Sequence, residues 1–79
     1  MKINDYDGKA NIIGHNIKKY RKSRNLSQEA LATKMQLENV EISQKIISRI
    51  ENQQRIVTDY ELLLFSKVLT VDIYDLLDV

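Results

Sequence analysis

Ile13, Ile17 and Tyr20 recur at three- and four-residue intervals while lysines fill the opposite face through Lys22, which predicts an amphipathic first helix. Asn25 tolerates the left-handed backbone that ends many helices, and Ser27 supplies a hydroxyl N-cap to a second helix with Glu29 in its first turn. Ala30 or Leu31, with Met35, gives that helix its inward stripe, and no register is readable from Gln36 to Glu41. Ser43 caps a short third helix whose inward positions are Ile47 and Ile50. Thr58 and Glu61 have the spacing of a capping box, so a fourth helix starts there with Leu62, Phe65 and Leu69 inward. Asp72 caps a last helix carrying Ile73, Leu76 and Leu77. Val71 to Ile73 has some β character, but the run is too short to be told from a buried helix by its period. The pattern predicts five helices and no strand.

At 79 residues the chain holds one domain, and a core of this size buries only roughly 60–65% of the unfolded surface. With no cysteine there are no disulfide staples, so the fold is expected to be helix-rich, oligomeric or both. An apolar fraction of 43% and a charged fraction of 29% belong to a globular domain, not a disordered chain. One histidine and no cysteine leave nothing to build a metal or thiol centre, so neither metal nor cofactor is expected. Asp72, Asp75 and Asp78 read as a cap and a solvated face, not as catalytic acids, and no enzyme is expected. The start, MKINDYDGKA, has two acids and no apolar run, so no signal peptide or membrane anchor is read there and a cytoplasmic protein is expected. Residues 1–10 read as a flexible tail and residues 11–79 as the domain.

The net charge of +1 conceals a lopsided distribution. Residues 1–55 hold eleven Lys/Arg against six Asp/Glu, net +5, whereas residues 56–79 hold one against five, net −4. From Lys9 to Arg24 there are six basic residues and no acid. A basic face toward a polyanion and an acidic end pointing elsewhere would produce this split, and so would a solvated helix face.

Helices two and three, short and joined by a turn, raise a helix-turn-helix reading, in which the second of the pair enters the DNA major groove. The stretch IGHNIKKYRKSRNLSQEALATKM, followed by ISQKIISRIENQQRIVTDYELLLFSKVL, resembles the Cro/repressor-type (XRE-like) helix-turn-helix family over about residues 13–77. The resemblance implies an all-α fold, a compact five-helix bundle of the lambda-repressor-like DNA-binding type, here with a lengthened turn between helices two and three. It also implies a sequence-specific DNA-binding regulator, most simply a dimeric repressor on an inverted-repeat operator of double-stranded DNA.

Position by position, Gln44, Lys45 and Arg49 match the outward residues of the family's recognition helix and become the base-contact candidates; Arg and Lys suit guanine, and Gln suits adenine. Gln28 matches a glutamine that contacts phosphate at the start of helix two, where free helix amides favour an anion. Ser43, Ser48, Asn52 and Arg55 are the further phosphate candidates. Arg21 and Glu51 match a structural ion pair, consistent with an arginine that lies on the apolar stripe of helix one. Ile46 faces away from Ile47 and Ile50, toward either a thymine methyl or the lengthened turn.

Two departures stand out. Ala32 and Ser43 are eleven residues apart, against about six in the family, so the extra residues within Gln36 to Val40 either lengthen helix two or loop out. Gln53 replaces the family's usual glycine after helix three, so the left-handed turn is either strained there or moved to Asn52. At the other end, Leu63, Leu64 and Tyr74 are left over once the core stripes are assigned and become the homodimer candidates. The rival reading is a protein-interaction module on the same scaffold, antitoxin-like or regulator-binding, that uses this C-terminal apolar surface.

Overall fold

The computed structural model describes residues 6–79, and the first five residues of the expected tail lie outside them. Five helices follow in order: α1 Gly14–Ser23, α2 Gln28–Leu37, α3 Gln44–Glu51, α4 Asp59–Leu69 and α5 Ile73–Leu77. No strand forms among the described residues; Tyr6 and Lys9 make an isolated bridge around a turn with Gly8 at positive φ.

Four starts are set by local side-chain chemistry. The Ser27 hydroxyl accepts from the Ala30 N–H, Ser43 from Ile46 and Asp72 from Tyr74, each satisfying a donor without an intrahelical partner. Thr58 and Glu61 form the full reciprocal box. The ends are equally regular. After α1, α2 and α3 a left-handed residue, Asn25, Asn39 or Gln53, closes a Schellman turn in which the next N–H reaches back five residues, from Leu26 to Arg21, Val40 to Met35 and Gln54 to Arg49.

That geometry resolves the lengthened turn. Helix α2 runs to Leu37, the chain reverses at Asn39, and Val40 and Ile42 return to the core before Ser43 starts α3. The inserted segment is therefore partly core, a role no periodicity could announce. Glu38 pairs with Lys67 of α4, which ties this turn to the bundle.

Ile17, Leu31, Met35, Ile42, Ile47, Ile50, Phe65, Leu69 and Leu76 are fully buried. Leu31, not Ala30, is the inward residue of α2. The expected inward positions Leu62, Ile73 and Leu77 are only half-buried, because α4 turns Glu61, Phe65 and Leu69 inward and α5 buries Leu76. Glu61 takes an inward place because it meets Arg55 in a two-pronged ion pair, at 3.0 and 3.2 Å, while closing the Thr58 box.

Polar side chains fasten the helices at their ends. Buried Asn11 accepts from the Gly14 N–H and donates to the carbonyls of Ile50 and Arg55, and Asn16 donates to the Leu76 carbonyl. The Arg24 guanidinium donates to the carbonyls of Leu69 and Thr70, joining the ends of α1 and α4. Gly14 lets α1 approach the end of α3: a Cβ there would lie 2.1 Å from the Ile50 carbonyl oxygen.

Backbone against backbone cannot yield cheaply, so Gly14→Ala is expected to lower the unfolding free energy by about 2–3 kcal/mol, read by urea denaturation. A second expectation concerns acid. Burial alone would raise the Glu61 carboxyl, but hydrogen bonds from Arg55 and the Thr58 backbone, with the Arg55 charge, hold it below its ordinary value. The folded state thus favours the carboxylate: this contribution is full above the unfolded-state pKa and is lost as pH falls through the lower folded-state value. Glu61→Gln is expected to flatten the fall in stability on acidification below about pH 4.3, the ordinary Glu range. An unchanged pH profile in thermal melts would show that the pair adds nothing.

Candidate nucleic-acid interface

The arrangement around α3 begins with a charge at an unfavourable place. Glu51 ends α3, where the helix dipole already presents negative ends, and its side chain is buried. Arg21 of α1 answers it: Nε donates to Oε2 at 2.6 Å and a terminal nitrogen donates to Oε1 at 3.0 Å. A further Arg21 nitrogen donates to the Leu26 carbonyl, so the guanidinium also holds the turn into α2.

Glu51 Oε1 accepts a second hydrogen bond at 3.0 Å, from the Gln28 amide nitrogen. A carboxylate only accepts, so this contact decides which way the Gln28 amide faces: nitrogen toward Glu51, oxygen outward. Gln28 Oε1 then accepts from the Gln44 amide nitrogen at 2.7 Å. Gln44 is left with its carbonyl oxygen and one N–H, the acceptor–donor pair that matches the adenine edge in the major groove. One chain of side chains therefore runs from α1 through the ends of α3 and the start of α2 to the first residue of α3.

Lys45 and Arg49, one turn apart, are both exposed, as is Gln44, so the three base-contact candidates share solvent beside one helix. Ser43 is exposed and uses its oxygen as the cap of α3, leaving its hydroxyl hydrogen available to donate. Ser48 is half-buried and Asn52 exposed. Arg55 is placed differently: its guanidinium is engaged by Glu61 and the Ile56 carbonyl, within the protein. Ile46 is half-buried against the core cluster, which favours the packing alternative over a thymine contact.

The left-handed residue after α3 is Gln53, at φ 60°, and not Asn52, at φ −85°. Its side chain donates to the Asn11 carbonyl, and its own carbonyl accepts from the Ala10 N–H. The loop after α3 is thus tied to the segment before α1. Asn11 holds the same loop from inside, a role missed in the sequence because its partners are backbone carbonyls about 40 residues away. At the far end, Leu63 and Tyr74 are 57% and 68% exposed, whereas Leu64 is half-buried against the protein's own core.

Two short capped helices, α2 and α3, packed together and joined by a lengthened turn, with the second presenting polar side chains outward, form a helix-turn-helix. A family model described as helix-turn-helix matches residues 17–76, and the chain belongs to this family, of the Cro/C1 (XRE-like) type. It is a DNA-binding helix-turn-helix regulator by that membership. No curated protein and no solved structure matches the chain significantly. Among the described residues no helix is long and apolar enough to cross a membrane.

The buried pair supplies a direct check. Arg21→Met strands the Glu51 carboxylate and is expected to cost about 3–5 kcal/mol, whereas Arg21→Met combined with Glu51→Leu is expected to recover most of that loss. Denaturation of the single and double variants completes the cycle, and equal losses in both would show that the pair acts through packing alone.

Proposed function

We propose that the protein is a repressor that binds as a homodimer to an inverted-repeat operator, setting α3 of each protomer into the major groove. Gln44, Lys45 and Arg49 read bases; Gln28, Ser43, Ser48 and Asn52 contact phosphates. Arg55 holds the adjoining loop through Glu61 and reaches phosphate only as far as that pair allows. The observation that carries this reading is the Gln28–Gln44 contact backed by Glu51, which presents an oriented amide at the start of α3. Such preorganisation spares the ordering of a flexible side chain on binding.

Leu63 and Tyr74, exposed on α4 and α5, form the protomer contact, and Leu64 supports them from the core side. Two copies joined there would place recognition helices about 34 Å apart, one turn of DNA. Occupying a promoter is then sufficient for repression, and the family's DNA-binding role leaves no catalytic step to assign.

Selection of bound duplexes from a random pool, with the mass in solution measured alongside, tests the reading. An enriched inverted repeat with half-sites about ten base pairs apart and a dimeric mass are expected. Arg49→Gln is expected to cost about 1–3 kcal/mol at one base position and to relax preference there. No enrichment from folded protein would transfer the exposed apolar surface to a protein partner.

A further inference from the structure

Gln44 and Glu51 are the first and last residues of α3, two turns apart on one side of the helix. About 10 Å of helix axis separates them, so they do not meet directly. Gln28 of α2 spans the gap, donating to Glu51 Oε1 at 3.0 Å and accepting from the Gln44 amide nitrogen at 2.7 Å. A glutamine amide keeps nearly the same shape when its oxygen and nitrogen are exchanged, so an unconstrained one presents either order. Here one order is excluded. Turned over, Gln28 would set its oxygen against a carboxylate oxygen with no hydrogen between them. Gln44 is excluded in turn, since its own oxygen would then meet the Gln28 oxygen.

The order matters to a base edge. Adenine offers a donor, N6–H, beside an acceptor, N7. An amide held in one pose pairs with both atoms in one order and sets donor against donor and acceptor against acceptor in the other. Lys45 and Arg49 carry donors alone and have no such order to set. A group that controls the amide order therefore acts on one base pair and not on the others.

We propose that Glu51 is a positioning residue for base choice: through Gln28 it holds the Gln44 amide in the order that favours adenine at the base pair Gln44 reads. This rests on the reading of Gln44 as a base contact given above. Arg21 supports the role from the other side, because its guanidinium keeps Glu51 charged and in place.

The test measures the affinity for all four bases at each position of the selected half-site, for the wild type, Gln44→Ala, Glu51→Gln and Gln28→Met, with urea denaturation establishing the folded fraction of each. Gln44→Ala identifies the base pair concerned. In Glu51→Gln the new amide keeps its oxygen on Arg21 Nε, the shorter of the two bonds at 2.6 Å, and its nitrogen takes the place of Oε1. A donor at that place calls for the Gln28 oxygen and reverses both amides. Adenine preference at the Gln44 base pair is expected to fall by about 5- to 100-fold, the worth of one bidentate pair, while preference at every other position is kept. Gln28→Met leaves the Arg21–Glu51 pair whole and releases the Gln44 amide to either order, so its loss at the same base pair is expected to be smaller. Wild-type adenine preference in folded Glu51→Gln would overturn the inference, as would an equal loss of preference at all positions. Should Glu51→Gln not fold, wild-type preference in Gln28→Met would overturn it. A base other than adenine at the Gln44 base pair would overturn it and leave the DNA-binding reading standing, whereas a Gln44→Ala variant with wild-type preferences throughout would remove the base-contact reading and this inference together.

Discussion

Glu51 is the group around which the rest is arranged. A carboxylate at the negative end of a helix, removed from water, is tolerable only when its oxygens are filled with good donors. Arg21 fills both, and Gln28 adds a third hydrogen bond. Because Arg21 comes from α1, Gln28 from α2 and Glu51 from α3, meeting one desolvation penalty fixes three helices relative to one another. It also fixes an amide orientation at the protein surface, since acceptor-only chemistry at Glu51 propagates through Gln28 to Gln44. The polar network that stabilises the helix-turn-helix therefore also fixes how the Gln44 amide is presented at the surface.

Close approach of α1 to α3 is the companion constraint. Gly14 is needed because the Ile50 carbonyl occupies the space of a Cβ, and that carbonyl, already accepting from the Gln53 N–H, takes a further hydrogen bond from Asn11. The turn that follows uses Gln53 in the left-handed region, which costs an L-residue about 1–2 kcal/mol relative to the right-handed form. The offset lies in what the Gln53 side chain gains, a hydrogen bond to the Asn11 carbonyl that a glycine could not make. Thr70, β-branched and left-handed after α4, is held by a comparable arrangement, with Arg24 on its carbonyl. Strain at these helix ends is matched by cross-links from other helices.

What was legible in the sequence is what depends on neighbours within a turn. Ser27, Ser43, Asp72 and the Thr58–Glu61 box announce helix starts because each satisfies a donor two or three residues on. Arg21 was legible for another reason, as a charge on an apolar stripe. Val40, Ile42 and Val71 were not, because they are buried from connections that have no period. Asn11, Asn16 and Arg24 were hidden as well: their partners are carbonyls, a chemistry every residue shares, brought near only by the tertiary fold. At the interface, family resemblance named Gln28 and Gln44, but the direction of their amides follows only from the placement of Glu51.

Charge sorting extends the same logic to the whole molecule. A count of basic residues in α1 treats all as equivalent, yet two arginines are consumed in holding helices together and a lysine lies over an aromatic ring. Arginine suits the structural posts, because its planar fork satisfies a carboxylate or two carbonyls at once and is less strongly hydrated than an ammonium. Lysine suits the exposed posts, where its compact, strongly hydrated charge stays in water. The acids show the complementary division. Glu51 and Glu61 are spent on buried pairs, while Asp59, Asp72, Asp75 and Asp78 remain exposed around α4 and α5. The charge split along the sequence, net +5 over residues 1–55 and net −4 over residues 56–79, would bias a polyanion away from the α4–α5 end.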